Sequence, residues 1–341
     1  MRVLIVGGGM AGLVLARGIA HRGGDAAIVE RASADRRIAG PIMLPFQAFD
    51  ALEEIGVLGA LRTEGIDVPP LRNDQPVAIS VARQSVVEKL REGVEILWEH
   101  ELVDLLRDRE RDRVAGARLR TPRGERDEAA DLVVGADGTG SRVRELAGIV
   151  AETRVADTAF VSFRSPVRGP EPFSIAFLSD GRQLTLLDWS GGSAGGWQID
   201  RVPGGAAEAL APGLDAYRAA FLRLLPQAEG PLNALTSDEQ LFYREVTEVR
   251  CEEWWRPGVA LIGEALHAMN PEVGIGSGLG MGDAQALAIA VAGHPGDPDA
   301  ACRAYEHWRR PAVAPYLAVG GTASKVYAQG RRPDEERWPP A

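Results

Sequence analysis

The feature that most constrains this chain is a glycine-rich turn directly after its first apolar run. Residues 2–6 form a short, mostly β-branched run that is apolar after Arg2, which is typical of a buried parallel strand. The pattern G-x-G-x-x-G follows at once, at Gly7, Gly9 and Gly12. In such a turn the first glycine permits a tight bend and the second admits a pyrophosphate close to the backbone. The third lets the next helix pack closely on the strand.

A helix and a second strand that ends in an acid complete this unit. Residues 13–20 carry an apolar stripe that predicts a helix, and residues 26–29 predict a strand that runs into Glu30. The helix would begin at Met10 and Ala11, where free N–H groups can face phosphates. Glu30 can accept hydrogen bonds from both hydroxyls of a ribose. The order of these parts predicts a dinucleotide site, and NAD and FAD both suit it.

Composition excludes several kinds of partner. The chain has 341 residues and a formal net charge of −10, which argues against nucleic acid or an anionic membrane as the main partner. No apolar run approaches the roughly 18 residues that a membrane-spanning helix needs. The two cysteines and five histidines are scattered, so we expect neither a disulfide framework nor a metal site. Because the first strand begins at residue 2, we expect no leader peptide and a cytoplasmic location.

Several arginines are candidates for contacts with phosphate. Arg31 and Arg37 lie in a polar segment after Glu30, where they could reach a phosphate or be solvated. Arg83 stands in the first turn of a predicted helix, where the helix dipole favours anions over cations. A phosphate or the side chain of a flavin nearby would explain that placement, and solvation is the alternative.

The middle of the chain changes from helical to β-rich sequence. Residues 45–61 predict an amphipathic helix whose stripe, Phe46 included, belongs to the core. Residues 107–128 alternate acids and arginines, which predicts an exposed β-meander with ion pairs. Residues 155–250 predict an antiparallel sheet interrupted by one helix. A sheet of this kind can cover a cofactor and line a pocket.

Two further strands end in acids. Residues 131–135 predict a buried strand that leads into Ala136, Asp137 and Gly138. An acid at that end of a parallel strand lies at the edge where such sheets bind ligands, although Asp-Gly can also form a simple turn. Residues 258–262 predict another buried strand.

Gly263 and Glu264 follow that last strand and lead into a proline- and glycine-rich loop, residues 271–276, before a helix predicted from Asp283. The acid can bind the hydroxyls of a sugar alcohol. The loop can lay backbone N–H groups against a flat ring, and the helix dipole favours the negative charge of a reduced flavin.

Together these motifs resemble the single-component FAD-dependent aromatic hydroxylases, the para-hydroxybenzoate hydroxylase-like group A flavoprotein monooxygenases. The resemblance implies an α/β fold: a Rossmann-like, glutathione-reductase-like FAD-binding domain with an interleaved antiparallel β-sheet substrate domain. The expected divisions are residues 1–150 and 254–330 for the FAD-binding domain, 151–253 for the substrate domain, and 331–341 for a disordered tail.

The resemblance also implies a resident FAD and a transient NADH or NADPH. Glu30 would bind the adenosine ribose, Arg83 the pyrophosphate or ribityl region, Asp137 and Gly138 both cofactors, and Glu264 the ribityl chain. His267 would belong to the flavin loop rather than act as a general base. The expected cofactor contacts are Gly7, Gly9, Met10, Ala11, Gly12, Glu30, Arg31, Arg37, Arg83, Asp137, Gly138, Glu264, Pro271, Gly274, Gly276 and Ser277.

The implied chemistry is oxygen insertion. NAD(P)H would reduce FAD, O₂ would add at flavin C4a, and the hydroperoxide would hydroxylate or epoxidise a small aromatic or polyketide-like substrate. The resemblance names no catalytic side chain and no oligomeric state. A flavin reductase or dehydrogenase without oxygen insertion, or a non-redox FAD-binding protein, are the alternatives. A halogenase is disfavoured because Trp254 and Trp255 do not fit its Trp-x-Trp-x-Ile-Pro motif and the chain has only two lysines.

Overall fold

The computed structural model describes residues 1–69, 78–271 and 274–319. The predicted proline-broken connection after residue 68 lies largely outside these residues, and the predicted tail, residues 331–341, lies wholly outside them. The positions of the domain divisions stay predictions.

The described residues form helices and strands that alternate along the chain. The strands are β1 (Arg2–Val6), β2 (Asp25–Glu30), β3 (Pro41–Pro45), β4 (Ile66–Val68), β5 (Ala78–Ala82), β6 (Glu95–Trp98), β7 (Glu101–Asp108), β8 (Arg113–Thr121), β9 (Gly124–Ala129), β10 (Leu132–Gly135), β11 (Ala151–Ser165), β12 (Phe173–Phe177), β13 (Gln183–Trp189), β14 (Gly192–Asp200), β15 (Leu241–Cys251), β16 (Trp255–Arg256), β17 (Val259–Leu261) and β18 (His267–Ala268). The helices are α1 (Met10–His21), α2 (Phe49–Glu54), α3 (Leu58–Glu64), α4 (Arg83–Arg91), α5 (Arg142–Ala147), α6 (Gly205–Leu210), α7 (Gly213–Leu224), α8 (Glu229–Asn233), α9 (Gly276–Gly293) and α10 (Pro298–Val319).

A parallel sheet forms the first layer of the fold. Its strand order is β16-β17-β10-β1-β2-β6, and all neighbours pair in parallel except the short edge strand β16. The residues of β10 and β17 are fully buried, as expected for a parallel sheet with both faces covered. Helix α1 packs against β1 and β2, and α9 packs on α1, where Gly18 approaches Ala288. This arrangement confirms the predicted Rossmann-like layer.

The parallel pairing brings four chain segments to one edge of the sheet. Strands β17, β10, β1 and β2 are consecutive neighbours and run in the same direction, so their carboxyl ends share an edge. Gly263, Ala136 and Gly7 follow three of these strands, and Glu30 ends the fourth. Segments that are more than 200 residues apart in sequence therefore meet at the place where open α/β sheets bind ligands.

An antiparallel sheet forms the second layer, with strand order β12-β13-β14-β11-β15-β18. One face packs on α6, α7 and α8 through a cluster of aromatic rings. Phe163 meets Phe221 edge-on at 5.7 Å between centroids, and Trp197 meets Phe221 at 6.2 Å. The opposite face, called the free face below, carries Phe160, Ser162 and Phe242, because side chains alternate between the faces of a strand and Val161 and Phe163 lie in the cluster with α7. The predicted antiparallel sheet is thus confirmed, and α6 and α8 are helices that the sequence analysis did not predict.

Two smaller sheets complete the described fold, with orders β3-β5-β4 and β7-β8-β9. The second is the predicted meander with its exposed ion pairs. Arg118 contacts Asp127 at 2.8 Å and Arg120 contacts Glu101 at 3.0 Å. Exposed pairs of this kind contribute little to stability. In the described part of the chain no helix is long and apolar enough to cross a membrane.

Two predicted helices differ in the structure. Residues 45–61 form a 3₁₀ turn followed by α2 and α3 rather than one helix, and Phe46 is 55% exposed instead of lying in the core. Helix α9 begins at Gly276, seven residues before the predicted start at Asp283. Its first turns are rich in glycine, which disfavours helix, and tertiary packing overrides that preference.

A buried carboxylate joins three segments behind the ligand edge. Asp283 of α9 is 0% exposed and accepts hydrogen bonds from His267 Nε2 at 2.7 Å, Arg309 Nε at 3.1 Å and Gly263 N at 3.0 Å. Burial raises the pKa of this carboxyl, but His267, Arg309 and the Gly263 N–H together hold the pKa below its ordinary value. The ionised carboxylate therefore ties α9, α10 and the turn after β17 together.

We expect Asp283→Asn to destabilise the protein at neutral pH by about 3–5 kcal/mol, because it leaves buried donors without a charged partner. The pKa of Asp283 is lowered in the folded state, so its contribution is present above the unfolded pKa, about 4, and is lost as pH falls through the folded pKa. Urea unfolding of the unsubstituted protein and of Asp283→Asn, from neutral pH to below pH 4, measures the difference in the free energy of unfolding. A difference that stays constant below pH 4 would contradict it.

Candidate cofactor and substrate site

The three motif glycines occupy distinct environments at the ligand edge. Gly7 has φ +112°, and a Cβ there would lie 2.4 Å from the Ala136 carbonyl oxygen. A Cβ on Gly12 would lie 2.1 Å from the Gly7 carbonyl oxygen, so α1 packs directly on the end of β1. A Cβ on Gly9 would meet nothing within 4 Å. Two glycines thus serve close packing, and the middle one borders open space at the start of α1, as a pyrophosphate requires.

Met10 and Ala11 form the first turn of α1, whose start carries no side-chain cap and no acidic residue. The free N–H groups of such a turn and the positive end of the helix dipole favour an anion there.

Glu30 is oriented by backbone donors on both sides. Its Oε2 accepts from Gly8 N at 2.8 Å and its Oε1 accepts from Ala32 N at 2.8 Å. Each carboxylate oxygen has a second lone pair free for a further donor. The carboxylate therefore stands beside the glycine turn in a fixed orientation, which fits the predicted contact with ribose hydroxyls.

Arg31 and Arg37 are exposed, and no contact among the described residues places either side chain at the ligand edge. Arg37 pairs with Glu88 of α4 at 2.8 Å, and both side chains are more than half exposed. The solvated alternative therefore describes their surroundings here, and their contact with a cofactor stays a prediction.

Asp137 binds its own chain. Its carboxylate accepts from Ser141 Oγ at 2.5 Å, Arg142 N at 2.7 Å and Val143 N at 3.1 Å, and so holds the start of α5. Gly138 follows with φ +83° and open space around it. The structure thus shows Asp137 ordering the loop at the edge, and its direct contact with a cofactor stays a prediction.

Glu264 is exposed at the same edge, on the turn after β17. Gly263 packs against the start of α1, since a Cβ on Gly263 would lie 3.4 Å from the Ala11 Cβ. Arg144 donates to the Ala265 carbonyl at 2.7 Å and to the Thr139 carbonyl at 2.8 Å. The loop that contains Asp137 and the turn that contains Glu264 are therefore held together.

The proline- and glycine-rich loop lies against β3. Gly274 has φ +68° and packs on the Met43 side chain, and Ser277 Oγ donates to the Met43 carbonyl at 3.3 Å. Pro271 is exposed before this turn, and Gly276 begins α9. The predicted loop residues that the structure describes are thus adjacent to the edge.

Arg83 lies half-buried at the start of α4, where its backbone N–H donates to the Gly40 carbonyl at 3.0 Å. Its side-chain Nε is buried, and within the described residues it has no hydrogen-bond partner. Burial lowers the pKa of this guanidinium, the charges of Arg244 and Arg164 lower it further, and Glu264 raises it. The unpartnered donor fits an oxygen-rich ligand such as a flavin side chain.

Sequence reasoning missed the contacts that join the two layers. Asn270 Nδ2 donates to Thr158 Oγ1 at 3.1 Å, and Gln198 Nε2 donates to the same oxygen at 3.3 Å. Asn270 directly precedes Pro271 of the loop, whereas Thr158 and Gln198 belong to β11 and β14. The position of Asn270 beside the predicted loop was the one available signal, because periodicity does not show which sheet residues face a pocket.

Comparison with known proteins gives a family model, described as an FAD binding domain, that matches residues 1–318. The chain is 26% identical to chloroplastic zeaxanthin epoxidase of Nicotiana plumbaginifolia over 324 residues, which covers 81% of this chain and 46% of that protein. The chain therefore spans about half the length of this relative. It is also 26% identical to 3-amino-4-hydroxybenzoate 2-monooxygenase of Streptomyces cremeus, with 98% and 87% of the two chains covered.

Among solved structures, the fold is similar to PqsL, a probable FAD-dependent monooxygenase from Pseudomonas aeruginosa. The TM-score is 0.79 at 23% identity, with 96% of each chain covered. The same protein has been solved in complex with 2-aminobenzoylacetate. At this identity the likeness shows a shared fold, in agreement with the two layers described above.

We expect Gly9→Ala to separate folding from cofactor binding. The added methyl group enters open space, so the free energy of unfolding of the ligand-free protein should change by less than about 1 kcal/mol. The methyl group would obstruct the pyrophosphate, and the dissociation constant for FAD should rise at least about tenfold. Flavin fluorescence titration measures the affinity. Gly59→Ala, in open space on α3, is the matched control, and unchanged FAD affinity in Gly9→Ala would contradict the assignment.

Glu30→Ala should weaken FAD binding by about tenfold or more, because hydrogen bonds from ribose hydroxyls to a charged acceptor are lost. The same titration measures this change. Asp25→Ala removes an exposed acid that pairs with Arg2 at the opposite end of β2, and it should leave the affinity unchanged. Full FAD affinity in Glu30→Ala would show that the ribose contact is misassigned.

Proposed function

The chain belongs to the FAD binding domain family, and from this premise we propose that it is an FAD-dependent monooxygenase. In this proposal the enzyme consumes NADPH or NADH and inserts one oxygen atom into a small aromatic or polyketide-like substrate. The observation that carries the proposal is the meeting of the glycine turn, Glu30 and Glu264 at one sheet edge. The family predicted from the motifs is confirmed. The reaction, its substrate and the nicotinamide cofactor are the proposed part.

Each part of the edge has a role in this proposal. Glu30 binds the adenosine ribose, and the N–H groups of Met10 and Ala11 receive the pyrophosphate. Glu264 and the unpartnered Nε of Arg83 serve the ribityl region. The backbone of residues 274–276, held on Met43, lies along the flavin ring.

When bound, FAD supplies the redox chemistry: it takes two electrons from NAD(P)H and uses O₂ so that one oxygen atom enters the substrate and the other leaves as water. The protein's part is to bind, orient and exclude water. His267 is buried and hydrogen-bonded to Asp283. In this proposal it therefore positions the turn before the flavin loop and does not act as a general base. No side chain is assigned as catalyst.

The free face of the antiparallel sheet supports a small, flat substrate. Phe160 and Phe242 are partly exposed on adjacent strands, and Ser162, which pairs with Phe242, is two residues after Phe160. The relative from Streptomyces cremeus is named for 3-amino-4-hydroxybenzoate, and PqsL has been solved in complex with 2-aminobenzoylacetate. Both are small compounds with a benzene ring. An aromatic substrate lying between this face and the flavin fits both observations.

The direct test is to purify the protein, add FAD, and record its visible spectrum, NAD(P)H oxidation and O₂ uptake with a panel of hydroxy- and aminobenzoates. We expect a bound flavin spectrum and O₂ uptake that rises when a substrate is present. Absence of bound flavin would contradict the proposal. Flavin reduction without substrate-dependent O₂ use would favour a reductase, and bound FAD that neither nicotinamide reduces would indicate a non-redox protein.

A further inference from the structure

The loop proposed to lie along the flavin ring is held at its two ends by different sheets. At one end, Asn270 Nδ2 donates to Thr158 Oγ1 at 3.1 Å, and Thr158 belongs to β11 of the antiparallel sheet. At the other end, Ser277 Oγ donates at 3.3 Å to the carbonyl of Met43 in β3, a strand of the sheet with order β3-β5-β4. The hydrogen bond from Asn270 therefore helps to fix where this loop lies relative to the antiparallel sheet.

Thr158 lies at an irregularity of β11. Between Val155 and Ala159 the register of β11 against β15 shifts, as it does at a β-bulge. Bulges re-aim side chains and are frequent next to active sites. Against β14 the pairing of β11 stays regular from Thr158 onward, and Thr158 precedes Phe160 by two residues, so its side chain projects to the free face. The hydroxyl that accepts from Asn270 is thus on the face proposed to meet the substrate.

A second amide donates to the same hydroxyl oxygen. Gln198 Nε2 of β14 donates to Thr158 Oγ1 at 3.3 Å, and Gln198 pairs with Phe160 in the register of the sheet. Gln198 is 1% exposed and Asn270 is 6% exposed, so water has little access to either amide. A hydrogen-bonded chain therefore runs from the sheet beside Phe160, through Thr158, to the start of the loop.

The proline after Asn270 passes this restraint on to the loop. The ring of Pro271 fixes its φ, and a residue before proline is largely restricted to extended backbone. Gly274 N donates to the Pro271 carbonyl at 2.9 Å and closes the turn that follows. Because the backbone is stiff at this point, a fixed Asn270 side chain limits where Pro271 and the turn can lie.

We propose that Asn270 is a positioning residue that sets the spacing between the flavin loop and the free face through its hydrogen bond to Thr158. This inference rests on the proposed function and adds to it the residue that couples O₂ use to oxidation of the substrate. Oxygen transfer needs the reacting atoms about 3–3.5 Å apart, and a displacement of about 1 Å can slow such a step about a hundredfold. When the loop is released from Thr158, more of the O₂ therefore leaves as H₂O₂.

Coupled and uncoupled turnover differ in their products. In coupled turnover, NAD(P)H, a proton, O₂ and the substrate give NAD(P)⁺, water and the substrate with one added oxygen atom. In uncoupled turnover, NAD(P)H, a proton and O₂ give NAD(P)⁺ and H₂O₂. NAD(P)H supplies the two electrons in both cases. The H₂O₂ formed therefore measures uncoupled turnover, and the remaining NAD(P)H oxidation measures coupled turnover.

The test compares variants that remove the hydrogen bond from either side with one that keeps it. Asn270→Ala removes the donor, Thr158→Val removes the acceptor, and Thr158→Ser retains the hydroxyl. Each protein is assayed at saturating FAD with the hydroxy- or aminobenzoate that most stimulates O₂ uptake by the unsubstituted protein. We expect the ratio of uncoupled to coupled turnover to rise at least about threefold in Asn270→Ala and Thr158→Val, and to stay near its original value in Thr158→Ser.

Thr63→Val is the matched control, because it removes an exposed hydroxyl on α3 by the same substitution. It should leave the ratio unchanged. Melting temperature and FAD affinity are measured for every variant. A merely structural role would change these two quantities and not the ratio.

A second measurement follows the anchor without turnover. In the ligand-free proteins, hydrogen exchange of the Gly274 amide, measured by mass spectrometry, reports how firmly the turn from Pro271 is closed. We expect exchange at least about threefold faster in Asn270→Ala and Thr158→Val, and unchanged exchange in Thr158→Ser and Thr63→Val.

An unchanged ratio of uncoupled to coupled turnover in Asn270→Ala and Thr158→Val would overturn the inference, even if Gly274 exchanged faster, because Asn270 would then serve the fold alone. An equal rise in Thr158→Ser would also overturn it, since the hydroxyl would not be the anchor. If Asn270→Ala does not fold, Thr158→Val decides the matter. Protein that binds no FAD, or that no compound stimulates to use O₂, would refute the proposed function, and the inference would fall with it.

Discussion

The close contact between Gly12 and the Gly7 carbonyl is the constraint on which the ligand edge depends. With only 2.1 Å between that oxygen and the place of a Cβ, no other residue at position 12 lets α1 begin where it does. This contact aims the first turn of α1 across the ends of β1 and its neighbours. Because β1, β10 and β17 are parallel, the segments that follow β10 and β17 lie at the same edge of the sheet as the start of α1.

The second half of the edge depends on a buried charge. Asp283 holds the turn after β17 through Gly263 and fixes α9 to α10 through Arg309. A Cβ on Gly282 would lie 2.8 Å from an Arg309 nitrogen, so glycine in the helix makes room for this ion pair. The glycines of α9 lower its intrinsic helical stability, and packing of this kind offsets that cost. The proposed flavin loop thus lies between two segments that Asp283 joins, the turn after β17 and helix α9.

Local patterns were enough to predict the edge. Each strand that contributes to it is a short apolar run ending in a glycine or an acid, and parallel pairing follows from the alternation of strands with helices. The positions of Glu30 and Glu264 beside the glycine turn could therefore be predicted from sequence. Asp137 shows the limit of such reasoning, because its carboxylate is directed to Ser141 and the start of α5, a local choice that the Asp-Gly pattern leaves open.

Features set by tertiary contacts could not be predicted. The early start of α9 opposes glycine's weak helix preference, and the exposure of Phe46 depends on how the chain turns before α2. The composition of the free face depends on the register of β11 with β15, which pairs Ser162 with Phe242 although 80 residues separate them. A sequence shows alternation along each strand, but not which alternate set faces the pocket.

We propose that one FAD molecule binds across the shared edge of the four parallel strands β17, β10, β1 and β2. A crystal structure of the protein with FAD tests it most directly. We expect the pyrophosphate at the start of α1 beside Gly9, the ribose hydroxyls on Glu30, and the flavin ring between residues 274–276 and the free face of the antiparallel sheet. FAD bound elsewhere, or a pyrophosphate remote from Gly9, would contradict it.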